Sequence, residues 1–277
     1  MSNPNLPSIA DIRASTIILS PPDASTRVVR VHDRFAVKYG RTVSRLEAEN
    51  LEFLSQSSDI PIPKYHGTLV EPGTGIIFIV TEYIDGQLLK DAWPSLSASE
   101  KQDVENQLRH FLQQLRQLGD PGYLGSVGRG RLADGVFWQP PAEVKQAVSG
   151  PFADEAELND GIMLRLAESE PESHLTLLRA LISETLHGHK TVFTHGDLQP
   201  KNILVQRILV AANDPFKIQI MVIDWETAGW YPEYWEFCSA VIGGQHRPDW
   251  LGIAQRLMPL YAKEYLMLQK IRSILFF

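Results

Sequence analysis

Two early runs in which apolar residues are bracketed by charged ones, Arg27–Val31 and Arg34–Lys38, are rich in β-branched and aromatic residues and read as strands. His32-Asp33 between them suits a tight turn, so the two runs are predicted to form a hairpin. A second hairpin is predicted from Thr68–Val70 and Ile76–Thr81, which flank Pro72-Gly73-Thr74-Gly75. Between the hairpins the pattern is helical: Val43, Leu46, Leu51 and Leu54 share one face at helical spacing. That helix, over 43–54, should stop at Ser57-Ser58-Asp59 and Pro61-Ile62-Pro63.

After Asp85-Gly86 the pattern turns helical. Ser97-Ala98-Ser99-Glu100 is a capping box ahead of an apolar face of Val104, Leu108, Phe111, Leu112, Leu115 and Leu118, closed by Gly119. Pro171 opens another helix, with Leu175, Leu178, Leu181, Ile182 and Leu186 at helical spacing. Residues 119–160, with Gly, Pro, Tyr123, Phe137 and Trp138, are longer than a connector, which points to a functional segment. Ile203–Val205 and Ile218–Ile223 are strand-like, and 208–217 between them reads as a surface insertion. Strands with one helix, then mostly helices, predict an α+β fold. The expected division is a small antiparallel-sheet lobe over 1–81, a linker over 82–86 and a helical lobe over 87–277.

Composition narrows the function classes. The 277 residues carry 26 Lys and Arg against 33 Asp and Glu, a net charge of −7 with no basic run, so no nucleic-acid partner is expected. Cys238 is the single cysteine, which excludes an internal disulfide and implies a reducing compartment. Met1-Ser2-Asn3-Pro4 lacks the basic-then-apolar pattern of a signal peptide, and the run Ile76–Val80 is only strand-sized. A cytoplasmic protein with no membrane association and no evident protein partner is expected.

The densest chemistry lies in Thr194-His195-Gly196-Asp197-Leu198-Gln199-Pro200-Lys201-Asn202-Ile203-Leu204. Pro200 keeps Asp197 and Asn202 off a common helix face, but a loop pinned between two strands can turn both side chains to one place. The pair alone fits a structural turn equally well. Asp224 changes the balance, because a carboxylate ending the apolar run Ile218–Ile223 needs a cation or strong donors beside it. Together the three suit phosphoryl transfer. Asp197 can accept the proton of an attacking hydroxyl, and Asn202 and Asp224 can hold Mg²⁺ against nucleotide phosphates.

Lys38 closes the run Phe35-Ala36-Val37-Lys38, where an isolated lysine is ordinarily a solvated edge charge. The helix that follows gives it a partner. Glu47 falls inside the apolar face of 43–54, whereas Glu49 lies off it and Glu52 points away, so Glu47 is the carboxylate that should pair with Lys38.

The wording His195-Gly196-Asp197-Leu198-Gln199-Pro200-Lys201-Asn202-Ile203-Leu204 with Ile223-Asp224-Trp225-Glu226 resembles the aminoglycoside phosphotransferase and choline kinase family. Asp91–Leu96, Gln114-Leu115-Arg116, Gly150-Pro151-Phe152 and Ala228–Glu236 look like a subgroup common in filamentous fungi. The resemblance covers most of the chain. It implies a two-lobed protein-kinase-like fold and a phosphotransferase that moves the γ-phosphate of ATP or GTP, with Mg²⁺, to a hydroxyl of a small molecule. It further implies that Lys38, held by Glu47, touches the α- and β-phosphates. Glu82, Tyr83 and Ile84 stand at the inter-lobe linker, where the backbone would meet the purine, and His195 would brace the catalytic loop. Two positions depart from the wider kinase pattern. No glycine precedes Gly40, which leaves Ser20–Ser25 as the covering turn, and Gln199 stands where Ser/Thr protein kinases carry a lysine.

His187, His189, His195 and Asp197 are close in sequence, as in some zinc sites, but a helix end and a strand separate them. Trp225, Trp230, Tyr231, Tyr234 and Trp235 could form a cation-binding acceptor pocket, although a packed core is the commoner use of such a cluster. Asp154–Glu172 holds seven acidic residues against Arg165, a run that would attract a cationic acceptor or simply be a solvated helix face. The alternative function is a catalytically silent kinase-like protein that binds a ligand or partner.

Overall fold

The computed structural model describes residues 6–140, 143–209 and 216–276; the N-terminal tetrapeptide and the centre of the expected 208–217 insertion lie outside them. In chain order the elements are α1 (Ile9–Ala14), β1 (Arg27–Val31), β2 (Phe35–Gly40), α2 (Arg45–Ser57), β3 (Tyr65–Val70), β4 (Ile77–Glu82), β5 (Gln87–Leu88), α3 (Leu89–Ala92) and α4 (Ala98–Arg116). They continue with α5 (Gln146–Ser149), α6 (Glu155–Leu166), α7 (Glu172–Thr185), β6 (Thr191–Thr194), β7 (Ile203–Ile208), β8 (Lys217–Val222), β9 (Gly229–Pro232), α8 (Trp235–Gly243), α9 (Pro248–Leu257) and α10 (Ala262–Phe276). The chain packs as two compact units, residues 1–104 with 203–223 and residues 105–202 with 224–277.

The first unit is built on an antiparallel sheet of order β1-β2-β4-β3. Both expected hairpins are present: Val31 pairs with Phe35 and Val70 with Ile77. His32 and Asp33 each take positive φ, the left-handed backbone that a tight hairpin turn requires. Strand alternation then sorts the two faces of β2. Phe35, Val37 and Tyr39 point into a core with Ile12 of α1, Val29, Val31, Phe78 and Val80. Ala36 and Lys38 therefore point to the other face. The helix expected over 43–54 starts and ends later, at 45–57, and buries Glu47, Ala48, Asn50, Leu51 and Leu54. A short sheet of order β5-β7-β8 completes this unit.

The second unit is mostly helical and contains the pair β6–β9. α4 starts within the first unit, where the expected capping box is present: Glu100 N donates to Ser97 Oγ at 3.2 Å, and Ser97 N donates to Glu100 Oε2 at 2.8 Å. On α7, Leu178 and Ile182 are buried but Leu181 is 43% exposed, so its expected apolar face is narrower than the sequence suggested. Residues 119–160 are not a plain loop. They include α5 and the start of α6, and the backbone of Leu124 pairs in both directions with Phe152 at 2.8 Å. Asp134 anchors this segment, accepting from Trp235 Nε1 at 3.1 Å and Arg272 Nη2 at 2.7 Å. Among the described residues no helix is long and apolar enough to cross a membrane.

Candidate functional site

In the first unit Lys38 Nζ lies 2.7 Å from Glu47 Oε2, with side chains only 15% and 7% exposed. Sheet alternation places the lysine on the face away from the α1 core, and α2 offers its one strongly buried carboxylate; Glu49 and Glu52 are exposed. Removing one member of a buried pair leaves the other charge desolvated without its counterion. Glu47→Ala is therefore expected to cost about 3–5 kcal/mol, read as a lower denaturant midpoint at unchanged slope. An unchanged midpoint would mean that the pair carries no net stability.

Around the expected linker, Glu82 N donates to Lys64 O and Tyr83 N to Arg34 O, both at 2.8 Å. Those two amides are committed inside the unit. Gly86 N donates to the carbonyl of Ile84 at 3.0 Å. The Ser20–Ser25 segment closes a further hairpin: Ile18 bridges Val29, Leu19 N donates to Val28 O at 2.8 Å, and Val28 N donates to Ser20 Oγ at 3.1 Å. A turn at Pro21, whose carbonyl accepts from Ala24 N at 3.2 Å, thus replaces a glycine loop between two paired strands.

The second unit holds Asp197, Asn202 and Asp224. β6 delivers the chain to a buried His195, whose Nδ1 accepts from Asp197 N at 3.2 Å while its carbonyl accepts from Thr227 Oγ1 at 2.9 Å. Gly196 is left-handed at φ 82°, and a Cβ there would come within 3.0 Å of Thr227 O, so only glycine fits. A turn closed by Asn202 N to Gln199 O at 2.8 Å then brings Lys201 and Asn202 back to Asp197. Asn202 Nδ2 donates to Asp197 O at 2.8 Å and to its Oδ2 at 2.9 Å, Lys201 Nζ lies 2.9 Å from Oδ2, and Gln199 Nε2 donates to Oδ1.

Ile203 pairs with Val222, so the β7–β8 hairpin begins beside Asn202 and ends two residues before Asp224. Asp224 has positive φ, 68°, a strained backbone for a non-glycine residue and one that collects at functional positions. Its carboxylate lies within 4.8 Å of that of Glu226. Two like charges so close favour a cation between them. Asn202 spends both amide hydrogens on Asp197, which leaves its Oδ1 as the ligand atom. Carboxylate and amide oxygens are the donors a hard ion such as Mg²⁺ takes, so these residues fit the expected ion.

Two supporting groups were not picked out in the sequence. Glu226 is one. The other is Glu236, a buried carboxylate on α8 that accepts from His195 N at 2.6 Å and Gly196 N at 3.3 Å. Burial raises its pKa, opposed by nearby His195 and by the two amide bonds.

The zinc arrangement is not formed. His189 sits between Glu155 (2.7 Å from Nδ1) and Glu264 (3.4 Å from Nε2), whereas His195 faces Asp197 N. The aromatic cluster is core, since Trp225, Tyr231, Tyr234 and Trp235 have no exposure and Trp230 has 5%. The acidic run is largely paired within the unit: Glu155 with His189, Asp160 with Arg179, Glu168 with Arg165 and Glu170 with His174. A cavity of about 660 Å³ beside Asp154, Glu155 and Asn159 opens at the Thr191 and Pro232 end of β6–β9. The opposite end of that strand pair leads to Asp197.

Comparison with known proteins gives one consistent picture. A family model described as the phosphotransferase enzyme family matches residues 16–265. No curated protein sequence matches the chain. Among solved structures, the GDP and kanamycin complex of APH(2")-IIIa superposes with a TM-score of 0.53 at 15% identity, over 96% of this chain and 87% of that one. The GDP complex of aminoglycoside 2'-phosphotransferase-IIIa gives 0.51 at 16% identity, over 94% and 81%. A thermostable mutant of aminoglycoside phosphotransferase APH(4)-Ia with ADP and hygromycin B gives 0.51 at 13%, over 93% and 86%. The fold is that of these kinase-like enzymes.

Proposed function

Since this chain belongs to the phosphotransferase enzyme family, we propose that it moves the γ-phosphate of ATP or GTP to a hydroxyl of a small molecule with Mg²⁺ as cofactor. The observation that carries this reading is the Asp197 carboxylate, held by Asn202, whose amide oxygen stays available for a ligand. In this reading Asp197 orients the acceptor hydroxyl and receives its proton. Asn202 and Asp224, with Glu226 beside them, hold Mg²⁺, which would neutralise charge on the phosphates when bound. Lys38, fixed by Glu47, positions the α- and β-phosphates, and the backbone around Glu82, Tyr83 and Ile84 receives the base. With the Glu82 and Tyr83 amides already committed, carbonyl groups carry more of that recognition. The working division remains 1–81, 82–86 and 87–277.

Phosphoryl transfer needs little covalent help, so positioning and charge neutralisation supply most of the rate. Two of the superposed structures hold kanamycin or hygromycin B, amino-bearing polyols, which supports a small hydroxyl acceptor of cationic character here. The test is transfer of radiolabel from γ-labelled ATP and GTP to a panel of amino sugars, amino alcohols and neutral sugars. Labelled product from any of them supports the proposal. A folded protein that binds nucleotide and labels none would favour the silent binding protein, a reading that the absence of glycine before Gly40 keeps in play.

A further inference from the structure

A carboxylate offers about four lone-pair positions, two on each oxygen. On Asp197, Oδ2 has both in use, one for Asn202 Nδ2 and one for Lys201 Nζ, each at 2.9 Å. Oδ1 has one in use, for Gln199 Nε2. Among the described residues a single position is left, and it is on Oδ1. We infer that Gln199 and Lys201 are positioning residues that lock the Asp197 carboxylate so that Oδ1 is the atom that takes the acceptor's proton. The inference rests on the proposed phosphotransfer.

The step balances simply. The acceptor oxygen forms its bond to the γ-phosphorus, and the bond from that phosphorus to the bridging oxygen breaks with its electron pair staying on the nucleoside diphosphate. The hydroxyl proton passes to Oδ1. Turning the carboxylate about its Cβ–Cγ bond would exchange the two oxygens. Gln199 opposes that turn from one side and Lys201 from the other. The two residues differ in kind: Gln199 is a neutral donor, and Lys201 brings charge from a side chain that is 47% exposed.

Gln199 is itself located from behind. Gly243, the last residue of α8, lies so close that a Cβ there would stand 2.4 Å from Gln199 Nε2 and 2.8 Å from its Cδ. A methyl group at this position must push the glutamine amide away. Helix propensity gives no reason for glycine at this helical position, where alanine is the better helix former. Gly243→Ala therefore separates the two roles, because it should leave the fold intact while moving Gln199 off Asp197.

The experiment compares Gln199→Leu, Lys201→Met, Lys201→Arg and Gly243→Ala with the wild type. Phosphate release from Mg²⁺–ATP with water as acceptor gives kcat and KM, and each protein is crystallised. The expected result is a kcat about 10–100-fold lower for Gln199→Leu, Lys201→Met and Gly243→Ala, with KM for ATP within about two-fold. Lys201→Arg should recover most of the loss. Variants that keep wild-type kcat, or that lose activity through KM alone, would overturn the inference. If the wild type itself releases no phosphate to water, the label-transfer panel decides the phosphotransfer reading, and the crystals decide the positioning. A rotated Asp197 carboxylate in Gln199→Leu and Lys201→Met supports it, and an unmoved one overturns it.

Discussion

Asp197→Ala is expected to lower phosphoryl transfer by about 10²–10⁴-fold, the range that a positioned general base contributes. The geometry explains why the loss should fall on turnover. Asp197 is half-buried, and its carboxylate is held entirely by neighbours in its own loop: Gln199, Lys201 and Asn202. Of the groups assigned to the nucleotide and its ion, Asn202 meets Asp197 through Nδ2 and keeps Oδ1 for the ion. Nucleotide affinity should therefore change little. Single-turnover transfer from labelled ATP, beside a binding titration, separates the two quantities. Activity comparable to that of the wild type would remove Asp197 from its role, and a matching loss of affinity would make it a binding residue instead.

The second large effect is expected at Glu236, which makes no proposed contact with substrate. Its carboxylate satisfies two backbone amides, those of His195 and Gly196, in a fully buried place. Glu236→Leu would strand both amides. At about 1–3 kcal/mol for each buried donor left without a partner, the fold should lose roughly 2–6 kcal/mol, and the loop that presents Asp197 should lose its anchor. The more conservative Glu236→Gln adds a pH test. The folded-state pKa of Glu236 is raised above the ordinary carboxylate value of 4.5 by burial. In that window the folded protein holds more proton than the unfolded chain, so this group's contribution is complete below 4.5 and is lost as pH rises through the folded pKa. Glutamine does not titrate. The stability deficit of Glu236→Gln should thus be largest at acid pH and narrow as pH rises, measured by denaturant titrations from pH 4 to 8. A deficit that widens with pH would show that the buried carboxylate is favoured as the anion.

How much of this was legible in the chain depends on how local each cause is. The two hairpins, the capping box at Ser97 and the Lys38–Glu47 pair follow from short-range periodicity, and all four appear in the structure. Glu47 could be chosen because a carboxylate inside an apolar helical face must find a partner. The same argument applied to Tyr234-Trp235-Glu236-Phe237-Cys238 would have found Glu236, an acid flanked by aromatic residues. It was overlooked because its partners are the amides of His195 and Gly196, forty residues away, and backbone groups leave no mark in a sequence. His189 was misleading for a related reason. Neighbours in sequence suggested zinc, while its partners Glu155 and Glu264 come from α6 and α10. The aromatic cluster could be read as pocket or core, and only burial decides that it is core. Lys201 shows the converse: the spacing to Asp197 was in plain view, but only the turn at Pro200 brings the ammonium onto the carboxylate.

The measurement that bears most directly on the account is a thermal-shift titration with ATP and GTP, with and without Mg²⁺, on the wild type and Asp224→Ala. Nucleotide at about a hundred times its dissociation constant should add roughly 2.7 kcal/mol, a rise of several degrees for a chain of this size. The expected result is a Mg²⁺-dependent rise in the wild type that Asp224→Ala abolishes. No rise with either nucleotide in a folded wild type, or an equal rise in the mutant, would contradict it.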